Sequence, residues 1–226
     1  LSGDYMLKYK FTFLFIFILS LCGYFFVSAD NYNLDLLGKV IYIDPGHGGV
    51  DPGAVYKDIY EADINLEISD TLANTLEKYG AIVYLTRYDN YDLSVTNSIN
   101  RKRSDLSRRA NIINKSLCDM YISIHLNAES SSTWYGAQVF YDDINPKNEQ
   151  IAQIMQDIFK KDLKSKREYK EITDKYMHKR IERPGILAEV GFISNENERY
   201  LLRQKTYQQK LANAITKGVI KYFNGI

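Results

Sequence analysis

The sequence predicts an α/β fold, a central and mostly parallel sheet flanked by helices on both faces, and three observations carry that reading. Short β-rich apolar runs alternate with longer helical segments through residues 39–226, the pattern left by strands that are joined through crossover helices. Apolar residues in the longer segments recur every third or fourth position, which gives each helix one face for the sheet. No internal repeat or low-complexity linker interrupts the alternation, so residues 39–226 are expected to form one domain.

KVIYID at 39–44 is the expected first strand, and it runs through an Asp-Pro turn into GHGGVDPG at 46–53. Between Glu61 and Tyr79, Ile64, Ile68, Leu72 and Leu76 recur every fourth residue, and Gly80 is placed to stop that helix. AIVYLT at 81–86 is the next strand. Ser104 is the expected cap of the helix SDLSRRANIIN, whose stripe is Leu106, Ala110 and Ile113. MYISIH at 120–125 and AQVFY at 137–141 read as strands, and Ile151, Ile154, Met155, Ile158 and Phe159 mark a further helix. The stretch from Lys160 to Arg183 alternates charges and reads as a solvated loop, with a mobile flap or a partner surface as the alternatives. GILAEV at 185–190 is the last strand, and KTYQQKLANAITKGVIKYF closes the chain as a helix with Leu211, Ile215, Val219 and Tyr222 on one face.

Ahead of this domain, Lys8 and Lys10 precede a largely apolar run from Phe11 to Val27, and Val27-Ser28-Ala29 has the small-residue pattern of a signal peptidase site. Residues 1–29 are therefore expected to be a signal peptide or an N-terminal membrane anchor, with cleavage after Ala29 favoured, and residues 30–38 a short linker. The domain then works outside the cytoplasm, secreted or held at the outer membrane face, and touches membrane only through that segment if it is uncleaved. Cys22 has bulky Leu21 before it, against a lipid-acceptor role, and it lies far from Cys118, so neither a disulfide nor a thiol metal cluster is expected. A formal net charge of +1 gives no basic balance of the kind that nucleic acid attracts, and no nucleic-acid partner is expected.

The glycine-rich corner after the first strand fails as a phosphate cradle. A dinucleotide fingerprint wants a third glycine where Asp51 stands, and no Gly-Lys-Ser/Thr ending follows. What the corner supplies is His47 at a strand end, the edge where open α/β sheets bind ligands. His125 ends a second apolar strand, so parallel strands bring both imidazoles to that edge. A zinc site with two imidazoles commonly adds a carboxylate and leaves one position open. Glu61, opening the helix after the His47 loop, is the natural candidate, although a helix-dipole role alone also accounts for it; Asp58 and Asp63 are the nearby competitors. His178, in the charged stretch, reads as exposed and not ligating.

Glu189 interrupts the apolar strand ILAEVGF, where an ionisable group is costly unless it is paired or used. It is either a general base and acid beside a metal or the partner of a buried arginine, Arg87 or Arg109. Ser123 shares His125's side of its strand and reads as a residue that packs or braces the site from behind.

Together with their flanks, IDPGHGG (His47), EADINLEI (Glu61), LTR at 85–87, DLSRRANIIN, ISIHLNA (His125), GAQVFY and AEVGFISNENE (Glu189) resemble the zinc-dependent N-acetylmuramoyl-L-alanine amidases of the Amidase_3 family, in the family's order and approximate spacing. The resemblance implies Zn²⁺ held by His47, Glu61 and His125, Glu189 as the catalytic carboxylate, and a single α/β catalytic domain around a six-stranded sheet. It implies a substrate as well, the amide joining the lactyl group of N-acetylmuramic acid to L-alanine of the stem peptide in peptidoglycan. The short build is similar to spore-cortex amidases, whose reaction prepares muramic-δ-lactam. The alternatives are an inactive relative that binds peptidoglycan or a partner, and a zinc peptidase or deacetylase acting on another wall bond. The charged 160–183 stretch further suggests a helper protein that affects metal loading or activity.

Overall fold

The structure is a computed structural model that describes residues 12–20, 33–173 and 175–225. Residues 12–20 are helical with exposed side chains; the Val27–Ala29 pattern and Cys22 lie outside the described residues. Among the described residues no helix is long and apolar enough to cross a membrane.

From residue 34 onward the chain forms one compact unit. Its six-stranded sheet has the order β4 (Ile82–Leu85), β1 (Val40–Pro45), β5 (Met120–Asn127), β8 (Gly185–Phe192), β6 (Gln138–Tyr141) and β7 (Lys170–Glu171). The first four strands run parallel; β6 pairs antiparallel with β8, and β7 is parallel to β6. A small hairpin, β2 (Val55–Tyr56) with β3 (Ile59–Tyr60), leads into helix α1 (Glu61–Glu77). The remaining helices are α2 (Arg101–Lys115), α3 (Asn148–Leu163), the short α4 (Glu196–Leu202) and α5 (Lys205–Asn224).

Strand alternation sorts the side chains between two faces. Ile41 and Ile43, then Met120, Ile122 and Ile124, then Ile186 and Ala188 join the main core with the buried stripes of α1, α3 and α5. Each fully buried isoleucine or methionine side chain among them is worth roughly 1.5–3 kcal/mol. The opposite face carries Tyr42, Tyr121 and the α2 residues Ala110 and Ile113, and along those same strand faces stand Asp44, Ser123, His125, Leu187 and Glu189. The apolar period therefore hands the polar residues to one side of the sheet.

Two expectations are corrected here. Asn100, not Ser104, caps α2: its side chain accepts from Arg103 N at 3.0 Å, and Ser104 lies inside the helix with its Oγ accepting from Val95 N. Both residue types cap well, and the loop before the helix chooses between them. The 160–183 stretch is also not simply a solvated loop. It holds the end of α3, strand β7 and a 3-10 turn at His178–Arg180, because Met177 and Ile181 bury themselves against Ala110, Ile113 and Tyr121.

Candidate active site

The backbone after β1 turns back on itself: His47 has φ 63° and Gly48 and Gly49 have φ 126° and 61°. A non-glycine residue in the left-handed region persists only when its surroundings fix it, and here two buried arginines do so. Arg109 donates to Pro45 O at 2.7 Å and His47 O at 2.6 Å, while Arg87 donates to Pro45 O at 3.0 Å and Gly46 O at 2.9 Å. Arg109 also pairs with Asp44 at 3.0 Å and Asp105 at 2.9 Å. Burial alone would push the Asp44 carboxyl up, but the Arg109 charge and hydrogen bonds from Thr86 and Ser123 outweigh it and hold it at about 2. Neither arginine has a hydrogen bond or ion pair to Glu189, so the proposed Arg87 or Arg109 pairing for that residue is absent among the described residues.

The corner's glycines answer to close approach. A Cβ on Gly46 would stand 2.3 Å from the His125 ring, and one on Gly53 would stand 2.6 Å from Glu61 Oε2. Through these gaps His47, Glu61 and His125 meet, with one ligand atom from each lying within 4.8 Å of the others. His47 Nε2 is 3.3 Å and His125 Nδ1 is 3.2 Å from the same oxygen, Glu61 Oε1. The carboxylate is fixed from behind: Oε1 accepts from Leu126 N and Asn65 Nδ2, and Oε2 accepts from Ala54 N at 2.8 Å. Burial would raise the Glu61 carboxyl, yet hydrogen bonds and charge from His125 and His47 hold it far below the usual carboxylate range. Asp58 and Asp63 are not part of this cluster.

Glu189 pairs in register with His125 across β5 and β8 and lines the same cleft, a cavity of about 330 Å³. Its Oε2 is shielded from solvent and has no hydrogen-bond partner among the described residues. Burial pushes this carboxyl above its ordinary value, with the His125 charge opposing and the Glu61 charge adding to the rise. Ser123 donates to Asp44 Oδ2 at 2.8 Å, a bracing role in keeping with its expected one.

His178 departs from expectation. It is buried at 4% exposure, lines the cleft, and its Nδ1 lies 3.2 Å from the Tyr121 hydroxyl. Burial and the charge of His125 drive its pKa down to about 3, so it is neutral. The residue that sequence reasoning missed is Asp51, whose Oδ2 lies 3.1 Å from His47 Nδ1. Its signal was the four-residue spacing from His47 within the corner.

An open α/β sheet whose strand ends, with the helix opened by Glu61, bring a His-Glu-His set and the buried Glu189 carboxyl into one cleft defines a hydrolytic enzyme with a candidate metal site. The chain belongs to the N-acetylmuramoyl-L-alanine amidase family, whose model matches residues 41–221. It is 41% identical over 216 residues to the germination-specific N-acetylmuramoyl-L-alanine amidase of Bacillus subtilis, spanning 92% of this chain and 91% of that protein. Among solved structures it is similar to the CwlD amidase from Clostridioides difficile in complex with the GerS lipoprotein, with TM-score 0.79 and 38% identity over 84% of this chain and 100% of that one. An N-acetylmuramoyl-L-alanine amidase from Clostridium difficile 630 gives TM-score 0.74 and 31% identity over 82% of this chain and 97% of that one.

Proposed function

We propose that this amidase is zinc-dependent and hydrolyses the bond between the lactyl carbonyl of N-acetylmuramic acid and the stem-peptide L-alanine, in maturation of spore-cortex peptidoglycan. The observation that carries the reading is the convergence of one ligand atom each from His47, Glu61 and His125 within 4.8 Å, with His47 Nε2 and His125 Nδ1 both facing Glu61 Oε1, beside Glu189. Two imidazole nitrogens and one carboxylate oxygen, close together and shielded, fit a zinc ion with a position left for substrate. When bound, zinc polarises a carbonyl and makes water a nucleophile near neutral pH.

This chain's residues do the rest. Ala54 N, Asn65 and Leu126 N orient Glu61, and Asp51 holds the His47 ring through Nδ1 so that Nε2 is presented. Glu189 takes the proton of the attacking water and delivers it to the departing L-alanine nitrogen, a role served by a carboxylate whose oxygen is unspent in hydrogen bonds. The germination-specific relative supports the spore-cortex role. In the same reading residues 1–29 export or anchor the chain, 30–38 link, and 39–226 are the catalytic domain. The lipoprotein in the CwlD complex supports a helper protein that acts on metal loading or activity.

The test is digestion of purified peptidoglycan, with mass spectrometry of the products and metal analysis. Bare muramic acid with intact stem peptides is expected, with about one zinc per active chain, loss on chelation and recovery on adding zinc. Shortened peptides still attached to muramic acid would assign a carboxypeptidase instead, and zinc-replete chain that cuts nothing would assign a binding protein. A second expectation follows from the His47–Asp51 contact: Asp51→Asn lowers zinc affinity about 10–100-fold, measured by competition with a chromophoric chelator. Unchanged affinity would reduce Asp51 to a brace of the loop.

A further inference from the structure

We infer that Trp134, stacked on Arg167, forms a subsite for the peptidoglycan glycan strand beside the cleft, gripping sugar rings next to the muramoyl residue that is cleaved. The inference rests on the amidase reading above. Trp134 is the sole tryptophan, and its side chain is half exposed. The Arg167 guanidinium lies 4.9 Å from the Trp134 ring and 4.8 Å from the buried Phe192 ring, a three-layer stack running from core to solvent. No side-chain nitrogen of Arg167 makes a hydrogen bond among the described residues, and its Nε is shielded without a partner. The stack borders an open basin of about 380 Å³ that Thr133, Tyr135 and Lys166 also line.

The loop that presents the indole is tied down along its length. Glu129 N donates to Ser194 Oγ at 3.2 Å, Asn195 Nδ2 to Ser132 O at 2.8 Å, and Gly136 N to Glu198 Oε1 at 3.0 Å. A ring held in place before binding saves the ordering cost of recognition, and an exposed apolar face rimmed by polar groups marks an interaction site.

Position and chemistry identify the occupant. The loop leaves β5 directly after Asn127 and Ala128, which line the cleft, and past a bulge Phe192 of β8 pairs in register with Asn127 just as Glu189 pairs with His125, about 7 Å further along the strand. Basin and cleft thus share one sheet edge, as a linear polysaccharide requires. A pyranose presents C–H groups on its face and oxygen acceptors at its rim. The indole receives the first, and the uncommitted guanidinium and the Lys166 ammonium receive the second.

Because Trp134 is the only tryptophan, its fluorescence reports the subsite without reference to catalysis. Titrating the full chain with peptide-free glycan strands is expected to shift the emission saturably; unchanged emission at saturating glycan overturns the inference. In parallel, Trp134→Ala is expected to raise KM about five- to ten-fold on long strands carrying stem peptides. It leaves kcat, and cleavage of a single-disaccharide muropeptide, unchanged, and Trp134→Phe recovers part of the loss. Equal loss on both substrates, or an effect seen only when a helper protein is added, overturns the subsite in favour of a fold role or a protein-docking face. A chain that shifts its emission yet cuts no amide sinks the amidase reading and leaves the subsite standing.

Discussion

Glu189→Gln is expected to lower turnover on purified peptidoglycan by about 10³-fold, within the range that a positioned proton carrier contributes, while zinc content and substrate KM stay near wild type. The side chain is isosteric, so the cleft keeps its shape, and what is lost is an oxygen able to accept and return a proton. No hydrogen bond is lost with the charge at Oε2, which has no partner among the described residues. A neutral amide there also avoids the cost of burying an ionised group, so the melting temperature is expected to hold or rise slightly. Measuring stem-peptide release, bound zinc and thermal unfolding on one preparation separates the cases. Turnover within a few-fold of wild type would move the proton carrier to another residue, whereas lost activity with lost stability would make Glu189 a structural group.

The three proposed metal ligands are legible in the sequence because each sits at the boundary of a regular element. His47 follows a strand, His125 lies near the end of another, and Glu61 opens a helix, so periodicity locates all three, and parallel pairing carries them to a common edge. Glu189 is legible for the opposite reason, a charge inside an apolar run. His178 is not legible. Its burial comes from Met177 and Ile181 packing on α2 and Tyr121, contacts between distant segments that leave little apolar density in the charged stretch itself. The Asp51 contact has only its four-residue spacing as a signal, because it depends on the left-handed turn at His47, and that turn depends on two arginines far along the chain. The cost of a charge inside an apolar strand offered Arg87 or Arg109 as a partner for Glu189. Three-dimensional proximity commits them to backbone carbonyls and to Asp44 and Asp105 instead.

That commitment sets the largest stability effect. Arg109→Met is expected to destabilise the fold by about 3–5 kcal/mol, because it strands Asp44 and Asp105 as buried carboxylates without their partner. For a domain of this size that lowers the melting temperature by roughly 10 °C. The same change alters the response to acid. Asp44 is held at about 2 in the folded chain, below its unfolded value, so its contribution of roughly 2–3 kcal/mol is present above about pH 4 and is lost as pH falls through the folded value. Without the Arg109 charge the burial that raises this carboxyl dominates, its folded pKa climbs, and acid unfolding begins at a higher pH. Arg109→Lys keeps a charge but not the fork that reaches Asp44, Asp105, Pro45 O and His47 O together, and is expected to fall between the two. The His47 loop loses a clamp in both variants, so zinc affinity declines along with stability. An Arg109→Met chain that melts and titrates like wild type would show that the buried pair is dispensable and that Arg87 alone holds the corner in its left-handed turn.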